Sequence, residues 1–136
     1  ALMTENSIFR SIQVLVVEDE AFSLETISKT LQQIGVSQIL KAQNGIQALE
    51  LMEDTENAID LIISDIEMPE MGGYEFVRHI RYGKVPQYKA IPILMLTGHD
   101  TPDNIQKARI HKIDGFIVKP PKAEEFKKYI QIALGL

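Results

Sequence analysis

Apolar positions in this chain fall into two rhythms that alternate from one end to the other. Ile12-Gln13-Val14-Leu15-Val16-Val17 is dense in β-branched residues and predicts a strand. From Ala21 the period lengthens: Leu24, Ile27, Leu31 and Ile34 recur at helical spacing, and Gly35 closes the segment as a C-terminal cap. Gln38 to Ala42 predicts a weaker strand, and Asn44-Gly45 opens a helix with Ala48, Leu49 and Met52 on one face. Leu61-Ile62-Ile63-Ser64, bounded by Asp60 and Asp65, has the pattern of a short strand buried on both faces. A loop with Pro69 and Gly72-Gly73 follows, then a helix carrying Tyr74, Val77, Ile80 and Arg81 that stops by Gly83. Pro86 and Pro92 bracket a connection to a fourth strand, Ile93 to Leu96, which ends in Thr97-Gly98. Pro102 starts a helix running through Ile105 and Ala108 to about His111. Gly115 to Val118 is a fifth strand ending at Lys119-Pro120-Pro121, and the last helix, Ala123 to about Ala133, aligns Phe126, Tyr129, Ile130 and Ala133.

Five strands alternating with five helices predict an α/β fold with a parallel five-stranded sheet. Right-handed crossovers favour the flavodoxin-like (βα)5 three-layer sandwich, with strand order 2-1-3-4-5. Residues 11–136 form the single domain; residues 1–10 are polar and unpatterned and read as a loosely held tail, with Ala1-Leu2 ahead of Met3 as a remnant of expression.

Composition narrows the function. The 136 residues carry a net charge of -5, and no basic stripe interrupts them, which argues against direct nucleic acid binding by this domain. The absence of Cys removes thiolate zinc sites and Cys nucleophiles and suits the cytoplasm. No apolar stretch approaches the ~20 residues of a membrane span, so no membrane partner is expected.

Chemistry gathers at the carboxyl ends of the strands, where open α/β sheets bind ligands. The predicted order brings Glu18 and Asp19, Asp65, Thr97 and Lys119 side by side. Like charges about 4 Å apart repel by roughly 4 kcal/mol at an effective dielectric near 20, so such acids call for a cation. Oxygen-only ligands favour Mg²⁺ or a similar hard ion such as Mn²⁺. A carboxylate beside that ion, a Lys and a Thr hydroxyl points to phosphoryl transfer onto the carboxylate itself, with Asp65 as nucleophile. Taken singly, each residue has a plainer reading: Lys before Pro is commonly a solvated loop residue, Thr-Gly a turn, and acids after a strand caps of the next helix. Their joint placement at four neighbouring strand ends is what carries the reading.

Four stretches in order, Val16-Val17-Glu18-Asp19-Glu20, Asp65 to Gly73, Leu96-Thr97-Gly98 and Gly115 to Pro120, resemble the receiver domain of two-component response regulators of the CheY-like kind. The resemblance spans roughly Ser11 to Leu136. It implies a phosphoacceptor regulatory domain, not an enzyme, that assists its own phosphorylation and slow dephosphorylation. Asp65 would take a phosphoryl group from the phosphohistidine of a sensor histidine kinase or histidine phosphotransfer protein. It further implies Asp19 as a direct Mg²⁺ ligand, Glu18 acting through water, the backbone carbonyl of Glu67 as a third protein ligand, Lys119 as the phosphate partner and a cis bond to Pro120. Thr97 and Phe116 fall on the family's switch pair, and Glu67 and His99 on positions that tune the lifetime of the phosphoryl group. The downstream effector or output domain would read a face made by the helix 102–111, the fifth strand and the last helix, near Ile105, Lys107, Lys127 and Lys128. Two departures stand out. Gly72 occupies a position where Asp or Asn is frequent, and the acidic pair reads Glu-Asp in place of Asp-Asp; neither removes a reacting group.

Three rivals share part of this pattern. A flavin mononucleotide binder needs a Ser/Thr-rich phosphate cradle where Glu18-Asp19-Glu20 stands. A haloacid-dehalogenase-like phosphatase uses aspartyl-phosphate chemistry but wants its nucleophile after an early strand, an Asp two residues on, and a cap. A pseudo-receiver acting only as an interaction module would not need every chemical position filled, as they are here.

Overall fold

The strand Leu61–Asp65 (β3) is buried along its whole length and forms the middle of the sheet. On one side it pairs in parallel with Gln13–Val17 (β1), which pairs in turn with Gln38–Ala42 (β2); on the other it pairs with Ile93–Thr97 (β4), followed by Gly115–Val118 (β5). The order is therefore 2-1-3-4-5, as the alternation of elements predicts. The computed structural model describes residues 5–98, 106 and 109–136. Of the predicted helix from Pro102, the described residues Gln106 and Arg109, Ile110 and His111 are helical; Ile105, Lys107 and His99 lie outside the described residues.

Period-2 alternation in the strands separates two cores. Val14, Val16, Leu61, Ile63, Leu94, Leu96 and Ile117 face the helices Ala21–Gln33 (α2) and Ala123–Ala133 (α5), meeting Leu24, Ile27, Leu31, Phe126 and Ile130. Leu15, Val17, Ile62, Ile93 and Met95 face the opposite layer, formed by Gly45–Glu53 (α3) and Gly73–Arg81 (α4), through Ala48, Met52, Phe76, Val77 and Ile80. A sheet covered on both faces needs strands apolar at consecutive positions, which is why β3 and β4 do not alternate with polar residues.

The helix ends follow from local chemistry. Asn44 accepts a hydrogen bond from the Gln47 amide and so starts α3. Gly35, at φ 112°, ends α2 in the left-handed conformation that costs glycine nothing. Gly72 starts α4 without any side-chain cap.

The chain departs from the predicted tail at its beginning. Glu5–Ser11 form a helix (α1), and Phe9, only 1% exposed, belongs to the core that the sheet shares with α2 and α5. Ser37 Oγ also donates to the Arg10 carbonyl at 3.1 Å, tying this helix to the segment before β2. With Ile8 and Phe9 as its only apolar pair, the segment carries no periodic signal; burial of one aromatic ring holds it.

Candidate phosphoacceptor site

Register sets the site. Val17 pairs with Ser64, so the next residue on each strand, Glu18 and Asp65, emerges at the same level. Asp65 pairs with Leu96, and Thr97 pairs with Val118, which brings Thr97 and Lys119 to the same edge. The Lys119 amide donates to the Thr97 carbonyl at 2.8 Å, and the Glu18 amide to the Ala42 carbonyl at 3.0 Å. All five residues expected from the sequence at the strand ends thus arrive there.

Their side chains form one network. Lys119 Nζ lies 2.8 Å from Glu18 Oε1 and 3.0 Å from Asp65 Oδ2, bridging the two acids. Asp65 Oδ1 accepts from the Ile66 amide at 2.9 Å. Glu18, Asp65 and Thr97 are buried, whereas Asp19 is exposed at the rim. Glu67 is exposed, Phe116 is half-buried against the α3–α4 core, and the Lys119–Pro120 peptide is cis.

The charges are strongly displaced. Burial, followed by the adjoining Glu18, pushes the Asp65 carboxyl up to about 6. Burial also pulls Glu18 upward, but hydrogen bonds from Lys119 and Ser23 outweigh it and hold Glu18 at about 2. Asp19 is raised by burial and by Glu18, and Lys119 is raised by its two carboxylate partners against the opposing effect of burial.

Carboxylate oxygens of Glu18, Asp19 and Asp65 all lie within 4.8 Å of one another. Glu18 Oε2 is buried and has no hydrogen-bond partner among the described residues. An unpartnered carboxylate oxygen in a cluster of three acids fits a hard divalent cation, which would supply the missing ligand field and positive charge.

One contributor, Ser23, was not foreseen from the sequence. Ser23 Oγ donates to Glu18 Oε1 at 2.7 Å. Glu20, the third acid of the run, turns away and caps α2, accepting from the Phe22 and Ser23 amides at 3.1 and 2.6 Å. An acid directly before the first turn of a helix caps that turn, and of the three consecutive acids it is Glu20 that takes this plainer role. Gly73 is the other unforeseen requirement. A Cβ there would overlap the Asp65 carbonyl oxygen and stand 2.8 Å from Ile66 Cα, so α4 can begin this close to the nucleophile only with glycine.

Comparison with known proteins agrees with this geometry. A CheY homolog, a chemotaxis protein of Campylobacter jejuni, is 31% identical over 124 residues, covering 91% of this chain and 93% of that protein. The solved structure of the chemotaxis protein CheY4 of Vibrio cholerae superimposes with a TM-score of 0.81 at 36% identity, covering 90% of this chain and 98% of that one. The receiver domain of the histidine kinase CKI1 from Arabidopsis thaliana, solved in complex with Mg²⁺ and BeF3⁻, gives a TM-score of 0.79 at 27% identity, covering 97% of this chain and 95% of that one. The phosphatase alternative finds no support among these relatives. Residues 14–131 match the family described as the response regulator receiver domain, and with the sheet order and the strand-end cluster in agreement, the chain belongs to that family of two-component signalling domains, on the CheY-like branch.

Proposed function

We propose that this domain is switched by phosphorylation of Asp65, with the phosphoryl group supplied by a phosphohistidine on a sensor histidine kinase or histidine phosphotransfer protein. The observation that carries the reading is the Lys119 bridge, 3.0 Å from Asp65 Oδ2 and 2.8 Å from Glu18. It holds an ammonium beside Asp65, the buried acid at the carboxyl end of the central strand. At neutral pH Asp65, raised to about 6, is still mostly ionised and available as a nucleophile.

An Asp65 carboxylate oxygen forms the bond to phosphorus while the P–N bond to the donor imidazole breaks, and the electron pair leaves with that nitrogen. Lys119 moves its charge onto a phosphoryl oxygen, and the Thr97 hydroxyl donates a hydrogen bond to another. Asp19 and Asp65 would hold Mg²⁺ or Mn²⁺ directly, with Glu18 through water and the Glu67 carbonyl as a further ligand. The ion supplies neutralisation of the charge that gathers on the transferring group. Hydrolysis of the acyl phosphate returns the domain to its resting state, so the chain acts as a regulatory switch in the cytoplasm and not as a turnover enzyme. Inward movement of Thr97 leaves room that Phe116 fills, changing the face around the helical residues 109–111, β5 and α5 that an effector or output domain reads.

The test is phosphorylation by acetyl phosphate or by a purified kinase, followed by intact-mass measurement. Wild type gains one phosphoryl group that is lost on alkaline hydroxylamine treatment, and Asp65→Asn gains none. An adduct on the variant at the wild-type rate would overturn the assignment.

A further inference from the structure

We infer that Ser23 is a positioning residue that holds the Glu18 carboxylate toward the divalent cation, and that it becomes the main anchor of Glu18 once Lys119 turns to the phosphoryl group. The inference rests on the proposed metal and phosphoryl chemistry above and adds a residue to it.

Glu18 is almost completely buried, and both of its donors converge on one oxygen: Ser23 Oγ at 2.7 Å and Lys119 Nζ at 2.8 Å reach Oε1. Oε2 has no partner among the described residues. The two oxygens are chemically equivalent, so what the donors fix is the plane of the carboxylate and the direction in which its open oxygen faces. Of the two donors, Lys119 is shared with Asp65 and is the one that phosphorylation draws away. Ser23 has no such competing duty. Its own position is secured from behind, because Glu20 accepts the Ser23 amide at 2.6 Å and the Phe22 amide at 3.1 Å, locking the first turn of α2 over the site. The three consecutive acids therefore take three tasks: Glu18 is buried and oriented, Asp19 faces outward, and Glu20 holds the serine that orients Glu18.

Groups that orient a metal-binding carboxylate, without touching the metal, typically change affinity by about tenfold or more when removed. The test is calorimetric titration of the full chain with MgCl2, alone and with beryllofluoride as phosphoryl mimic. Ser23→Ala is expected to weaken Mg²⁺ binding roughly tenfold, with a larger loss when beryllofluoride is present. Ser23→Thr, which keeps the hydroxyl, should bind within about twofold of wild type. In a Glu18→Ala background the Ser23→Ala change should have no further effect, since its target is gone. A loss that persists undiminished in that background would mean that Ser23 acts through the fold and would overturn the inference, as would wild-type affinity in Ser23→Ala. Asp19→Ala separates the two levels: if it abolishes Mg²⁺ binding while Ser23→Ala does not weaken it, only the serine's role fails. If neither variant affects binding, the metal site itself is wrong.

Discussion

Glu18 and Lys119, 101 residues apart in the chain, meet through a 2.8 Å contact between Oε1 and Nζ. The contact closes the sheet's carboxyl edge by joining the end of β1 to the end of β5 across β3 and β4. It also divides the acids electrostatically, because Glu18 is stabilised as an anion while Asp65, sharing the same ammonium, is not relieved of its burial.

This division predicts an uneven pH dependence without metal. Asp65 titrates at about 6 when folded against 3.8 for a free carboxyl, so the folded state binds a proton that the unfolded chain releases. Stability is therefore expected to rise as pH falls, by about 1 kcal/mol between roughly pH 7 and pH 5. Glu18 has the opposite sign: its contribution is full above 4.5 and lost as pH falls toward 2. Urea unfolding in EDTA across this range checks the point, and Asp65→Asn should lack most of the rise that wild type displays.

The switch predicts a separation of phosphorylation from its readout. Thr97 is buried at the end of β4 and Phe116 is half-buried one strand over, opposite Met95. Thr97→Ala should still accept a phosphoryl group on Asp65 but fail to shift the amide NMR resonances of Phe116 and of residues 109–111 when beryllofluoride is added. Equal shifts in variant and wild type would remove Thr97 from the relay.

Glu67 stands exposed two residues beyond Asp65, where its side chain can flank the path of the attacking water. Glu67→Ala is expected to change the half-life of phospho-Asp65 by roughly fivefold, about 1 kcal/mol of barrier, while phosphorylation still proceeds. Decay of the labelled protein at fixed Mg²⁺ measures this, and an unchanged half-life counts against the assignment.

Gly73 should tolerate no side chain. Gly73→Ala places a methyl group against the Asp65 carbonyl and Ile66 Cα, backbone atoms that cannot turn aside. A loss of about 2 kcal/mol in unfolding free energy is expected, accompanied by slower phosphorylation because the loop after β3 must move. Alanine in place of Gly72, whose Cβ would meet only the Ile66 carbonyl oxygen at 3.7 Å, serves as the neighbouring control.

Much of this site was legible because acids and a lysine at strand ends are placed by the pattern of the strands themselves. Once β1, β3, β4 and β5 are ordered, Glu18, Asp65, Thr97 and Lys119 can hardly fall elsewhere. Contacts made by side chains across turns were not legible. Ser23 reaches Glu18 only because Glu20 starts the helix where it does. Arg81 reads as part of an apolar helical face, yet its guanidinium is buried by donating to the carbonyls of Lys89, Ile91, His111 and Lys112. No periodicity encodes a set of acceptors drawn from two remote segments.

Phe9 bears on how this domain can be joined to others. The family match begins at residue 14 and the strand pattern only a little earlier, but the core reaches back to a ring that precedes both. A chimera spliced at Ser11 would preserve every reacting residue and every strand while leaving a ring-sized hole in the core shared with α2 and α5. Its partner would then have to fill that hole, or the fusion would inherit a softened first layer whose looseness could be mistaken for signalling between the joined domains. Splice points before Glu5 keep the plug with the domain that needs it.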